Sequence, residues 1–260
     1  MAKKSSKSDR QAVIDEIRKK QKGAEKRRGF AIVGVCTLVA LLIVVAAAYR
    51  PVKNWLDLRK FKDIDLASIG APASACDKVT TKPADGNQQH VPAPSQVIYE
   101  TAPPAFGSHW NEGPGANQAP APFNRKYYTE DDRPELESLV HNLEHGYTIL
   151  WYDESIADDA DELNVIDGIA DKFRSDDDNL RLKFIAAPWT AADEKEQGKN
   201  GKFPDGMHVA FSHWSAGGSG ESDPAKQVGV FQYCSAPSGA ALKQFMLDYP
   251  YTDSPEPDAM

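Results

Sequence analysis

The sequence predicts an α+β domain with a small mixed sheet, carried behind a single N-terminal transmembrane helix. Two observations predict this class: a long uncharged run near the start, and a hydrophobic period that switches repeatedly between helix and strand from residue 134 onward. A third, an even pair of widely spaced cysteines beyond the apolar run, suits one disulfide in an outer, oxidising compartment.

The uncharged run is FAIVGVCTLVALLIVVAAAY, residues 30 to 49, with neither a charge nor a proline. At about 1.5 Å per helical residue it covers roughly 30 Å, the thickness of a bilayer's hydrocarbon core. Residues 1 to 29 carry 11 Lys and Arg against 4 Asp and Glu, which predicts a cytoplasmic N-terminus and an outer C-terminal domain. A cleaved signal peptide is the rival reading, because Ala46-Ala47-Ala48 fits a small-x-small cleavage pattern. The long basic head and long apolar run favour the uncleaved anchor. Within the tail, Val13, Ile14 and Ile17 form a weakly amphipathic stripe, suited to the inner leaflet or simply part of a basic stop signal.

Beyond residue 29 the chain keeps 19 basic and 34 acidic residues, a net charge of −15 with histidine neutral, which argues against nucleic acid as a partner. Cys36 falls inside the span, where a thiol behaves as a small hydrophobe. Cys76 and Cys234 are then expected to form one disulfide, and closing so long a loop contributes about 4 to 5 kcal/mol in the chain-entropy model.

Residues 50–75 read as a stalk, and 82–126 as mostly loop with a strand at SQVIYE, 95–100. The domain proper is expected over 76–250 and a disordered acidic tail over 251–260. In PELESLVHNLEHG, Pro134 suits a first helical turn, and Leu136, Leu139, Val140 and Leu143 repeat at the spacing of one buried face before Gly146 stops the helix. Strands follow at 147–153, 180–187, 207–214 and 227–234, with helices at 155–174 and 239–249.

HNLEH, residues 141 to 145, matches the inverted zinc-peptidase pattern H-x-x-E-H. That chemistry needs a continuing helix, and Gly146 with the β-rich YTILWY ends this one. On a helix the apolar stripe turns His141 and His145 to the opposite side, one turn apart, at the spacing of a two-histidine metal site. They face solvent or a second layer of protein. The third imidazole expected there is His109 in FGSHWNEGP, because glycines let a loop backbone come close to another element. A carboxylate from Glu144 or Glu112 would complete a zinc set, whereas a thioether from Met207 would suit copper. His208 and His213 have opposite parity in one strand and cannot both point at one site without a bulge. His90, in a proline-rich loop, is set aside.

The basic tail, the single span, Gly107-Ser108-His109, the HNLEHG segment, a strand ending in Tyr-Asp and AAPW at 186–189 together resemble the domain of unknown function 3105 family over roughly residues 75 to 250. The resemblance implies a membrane-anchored protein without an established activity. His109, His141 and His145 match the family's motif histidines, with Glu144 and Gly146 in step. The expected function is binding of copper or zinc through His109, His141, His145 and Glu144, with copper favoured by Met207 and the oxidising compartment. A non-enzymatic interaction module with a histidine hydrogen-bond network is the alternative, and a metal-dependent hydrolase the third.

Overall fold

A computed structural model describes residues 5–84, 88–111, 124–174 and 182–259, and divides the chain into two units, Met1–Asp57 and Leu58–Met260. The first unit is helical. It belongs to α1, Ser5–Arg59, which has Pro51 in its interior and contains one stretch long and apolar enough to cross a membrane. Its apolar side chains, Phe30, Leu42 and Val45 among them, are exposed, as a lipid-facing or signal segment requires.

The second unit is built on a five-stranded sheet ordered β1-β5-β4-β2-β3. The strands are β1 (Thr80–Pro83), β2 (Thr148–Tyr152), β3 (Phe184–Pro188), β4 (Val209–Ser215) and β5 (Val228–Cys234). Only β2 and β3 run parallel, joined by a helical crossover, and the other neighbours are antiparallel. Strand alternation then sends two different sets of side chains to the two faces. Leu150, Tyr152, Phe184, Val209, Phe211 and Val230 pack beneath α4 (Ala160–Asp171) and α6 (Gly239–Asp248). Ile149, Trp151, Ile185, Ala187, Ala210 and Trp214 pack beneath α2 (Leu136–Glu144), whose Leu136, Leu139, Val140 and Leu143 form the predicted stripe.

Cys76 and Cys234 are bonded as expected, fastening the segment before β1 to the end of β5. Several expectations change. Residues 95–100 form no strand, because side chains satisfy their backbone: Val97 N donates to Glu137 Oε1 at 2.8 Å and Tyr99 N to Gln197 Oε1 at 2.6 Å. The helix expected over 155–174 breaks into α3 (Glu154–Ala157) and α4, because the Asp159 carboxylate caps the amides of Asp161 and Glu162 and so starts a new helix. The expected stalk is not one along its length, since Phe61 and Ile69 are buried in the core under α4 and α6.

The acidic tail is also packed rather than disordered. Asp253 and Ser254 are buried, Glu256 N donates to Glu144 O at 3.0 Å, and the buried Lys183 ammonium bonds the carbonyls of His145, Pro257 and Ala259. Gly146 permits this approach. Its φ is +88°, and a Cβ there would stand 2.4 Å from Tyr251 O, so both backbone conformation and space demand glycine.

Candidate metal centre

The stripe that seats α2 on the sheet leaves His141, Glu144 and His145 on its other side, and a second layer of protein covers them. All three are buried. The loop from Gln88 to Trp110 supplies part of that layer by pairing with itself: His90 and His109 form a parallel bridge, with Val91 N bonded to His109 O at 2.8 Å and His109 N to Gln89 O at 3.1 Å. Trp110 anchors the loop, its backbone N bonding Glu137 O of α2 and its indole Nε1 bonding Ser95 O.

These contacts bring one donor atom from each of His90, His109, His141 and Glu144 to within 4.8 Å of one another. His109, His141 and Glu144 are buried, while the His90 side chain is 45% exposed. Around a metal with bonds of roughly 2 Å, ligand atoms stand about 3 to 4 Å apart. His109 Nε2 is 2.9 Å and His90 Nε2 3.7 Å from Glu144 Oε2.

The ring tautomers follow from the remaining nitrogens. His109 Nδ1 lies 2.8 Å from Gly107 O and His141 Nδ1 3.0 Å from Trp110 O. A carbonyl accepts only, so each Nδ1 carries a proton, and Nε2 is the nitrogen left to face the other groups of the cluster. Metal-binding histidines are held in the same way, donating their other N–H to a carbonyl. His109 Nε2 and Glu144 Oε2 are both buried and 2.9 Å apart, an ion pair when the ring is protonated, and among the described residues neither makes a well-aligned hydrogen bond. A buried carboxylate needs positive charge beside it, which a protonated ring or a cation held between the two would supply.

Burial would raise the Glu144 pKa, but His109, the Gln88 amide bonded to Oε1 at 3.0 Å, and His141 together hold it below the usual carboxylate value. Gln88 is fixed in turn by Gln227, and Gln227 by the Trp214 indole, so the carboxylate is oriented from the sheet. Burial, reinforced by His145 and His109, lowers the His141 pKa to about 4, which keeps its ring neutral and able to donate a lone pair at pH 7.

Of the residues singled out from sequence, His109, His141 and Glu144 are brought together. His145 stands beside that set: its Nε2 is 3.0 Å from His141 Nε2 and 3.4 Å from Glu256 Oε2, and it groups with Glu144 and Glu256. Glu112 lies outside the described residues. Met207 precedes β4, whereas Trp214, whose ring is 6.0 Å from His109, lies next to its last residue. At about 3.3 Å per residue the two ends are roughly 20 Å apart, so the thioether is not a donor to this cluster. His213 points to the opposite face, and His208 bonds Asp153. His90 was passed over because nothing in its spacing announces a ligand. The only trace is the polar Gln88-Gln89-His90 run, of which Gln88 and His90 both reach Glu144.

Residues 90–195, which include His90, His109, HNLEHG and AAPW, match the family model described as a protein of unknown function, DUF3105. No curated protein and no solved structure matches the chain. All four residues of the cluster lie within the matched segment, whereas the covering Gln227 and Glu256 come from outside it.

Proposed function

We propose that this is a single-pass membrane protein, its basic N-terminus in the cytoplasm and its α+β unit outside, and that this unit binds one zinc or copper ion through His90, His109, His141 and Glu144. The convergence of one donor atom from each of the four side chains, three of them buried, with His109 and His141 already tied to carbonyls through Nδ1, carries the reading. The disulfide and the basic, then apolar, N-terminus support the placement.

Three imidazoles and one carboxylate suit zinc or copper(II). Four protein donors fill a tetrahedral shell, which favours a binding role over hydrolysis, since a catalytic zinc keeps a position for water. The HNLEH peptidase pattern gains no support: α2 ends at Glu144, and His145 is its cap.

The test is elemental analysis of the full chain in detergent after exposure to zinc or copper and dialysis. One ion per chain is expected, and none in His109→Ala or Glu144→Ala. A wild-type chain free of both metals would sink the proposal and leave a hydrogen-bonded histidine network, the reading that the 3.0 Å His141–His145 contact favours.

A further inference from the structure

The four donors differ in their access to water. His109, His141 and Glu144 are buried to within a few per cent, whereas His90 is nearly half exposed and lines a cavity of about 380 Å³ together with Val91, Pro92, Ala93 and Asn111. Its Nε2 also stands farther from Glu144 Oε2, at 3.7 Å compared with 2.9 Å for His109. The His90 ring lies against the other two imidazoles, with centroids 4.8 Å from His109 and 5.2 Å from His141, and so stands between the cavity and the buried donors.

We infer that His90 is the exchangeable ligand through which an ion enters and leaves the site, and that the cavity beside it admits a small nitrogen-donor ligand of the imidazole class in its place. The inference rests on the proposed metal site. Exchange replaces one nitrogen–metal bond with another, with no change in oxidation state. Three donors stay with the ion throughout, because His141 and Glu144 are carried by α2 and the His109 ring is held through Nδ1 by the Gly107 carbonyl, none of which lines the cavity. A cavity of this volume holds a five-membered ring with room for water.

Cobalt(II) on the full chain in detergent makes this visible, because its absorption bands report the number and kind of ligands. Wild-type protein should bind one cobalt per chain. His90→Gly should keep one cobalt, with a changed spectrum that free imidazole returns to the wild-type form, and should lose its ion to a chelator about tenfold faster. His109→Gly, whose missing ring leaves a hole sealed from solvent, should not be rescued by imidazole. In the wild type, added imidazole should itself speed extraction by the chelator, a readout that needs no variant.

An unchanged spectrum in a folded His90→Gly chain overturns the inference, and so does complete loss of cobalt from that variant. Equal rescue of His109→Gly overturns it as well. These outcomes differ from failure of the metal site itself, in which wild-type protein shows no bound cobalt at all.

Discussion

The two faces of the sheet each bury a histidine completely, and they do different things with it. On the α4 and α6 face, His213 has its ring nitrogens 3.1 Å from Tyr147 O and 2.7 Å from Asp253 O, so both look at backbone carbonyls. On the α2 face, His109 ties Nδ1 to Gly107 O but turns Nε2 toward a buried carboxylate. Burial alone therefore says nothing about function. A ring whose two nitrogens both meet carbonyls fastens chain to chain, here the tail to β4, while a ring with one nitrogen anchored and the other turned to a carboxylate can pair with it or, as proposed above, share a cation with it.

The largest expected effect lies on the α2 face. Structural zinc sites bind with about 10 to 16 kcal/mol spread over four ligands, so Glu144→Ala should weaken metal binding by about 100-fold or more. His213→Gln should leave affinity and stoichiometry unchanged. Titration against a competing chelator measures both, and equal losses would erase the distinction between the faces.

The fold should register the opposite pattern. His213→Ala removes the donor facing two buried carbonyls and opens a cavity, at a cost of about 2 to 3 kcal/mol in the metal-free protein. Urea unfolding at fixed pH tests this, and a cost near zero would mean that His213 is not a fastener. Gly146→Ala forces a left-handed backbone on alanine and pushes its Cβ into Tyr251 O. A loss of about 2 kcal/mol is expected, with the tail cleaved more readily by protease.

Proton linkage applies to both faces, with one sign. Burial, with help from His145 and His109, holds His141 down to about 4, and burial likewise lowers His213 against the pull of the Asp253 and Tyr147 carbonyls. A depressed histidine pKa means that the unfolded chain binds more protons, so the stability is fully present above about 6.5 and is lost as pH falls toward 4. Melting temperatures of metal-free protein should drop across that window by the equivalent of about 3 kcal/mol, and a flat profile would contradict a neutral His141 ring. The smallest effect belongs to His208. Its pairing with Asp153 at 2.8 Å is partly exposed, and His208→Ala should cost about 0 to 1 kcal/mol in the same melts.

Local features of the site were legible in advance because they depend on neighbours along the chain. The stripe of Leu136, Leu139, Val140 and Leu143 fixes the side of α2 that meets the sheet, and with it the opposite side that carries His141 and Glu144. Strand parity likewise separates His213 from residues on the α2 face. What did not read through was any contact made by irregular chain. The strand expected at 95–100 failed because its amides are taken by Glu137 and Gln197, one on α2 and the other on α5 (Ala191–Gln197), and no alternation within SQVIYE encodes those partners.

By itself the sequence determined the apolar run, the alternation that yields an α+β domain, the Cys76–Cys234 pair and the two-sidedness of α2. These follow from period, length and composition, which act over a few turns or strands. The tertiary structure decided that His90 rather than Met207 stands with His109, that His145 lies in a neighbouring group, and that the tail carries Glu256 against it. Those outcomes turn on angles between segments tens of residues apart. A bridge of backbone hydrogen bonds at His90 and His109, and an ammonium gathering three carbonyls at Lys183, set them without leaving any periodic mark in the residues themselves.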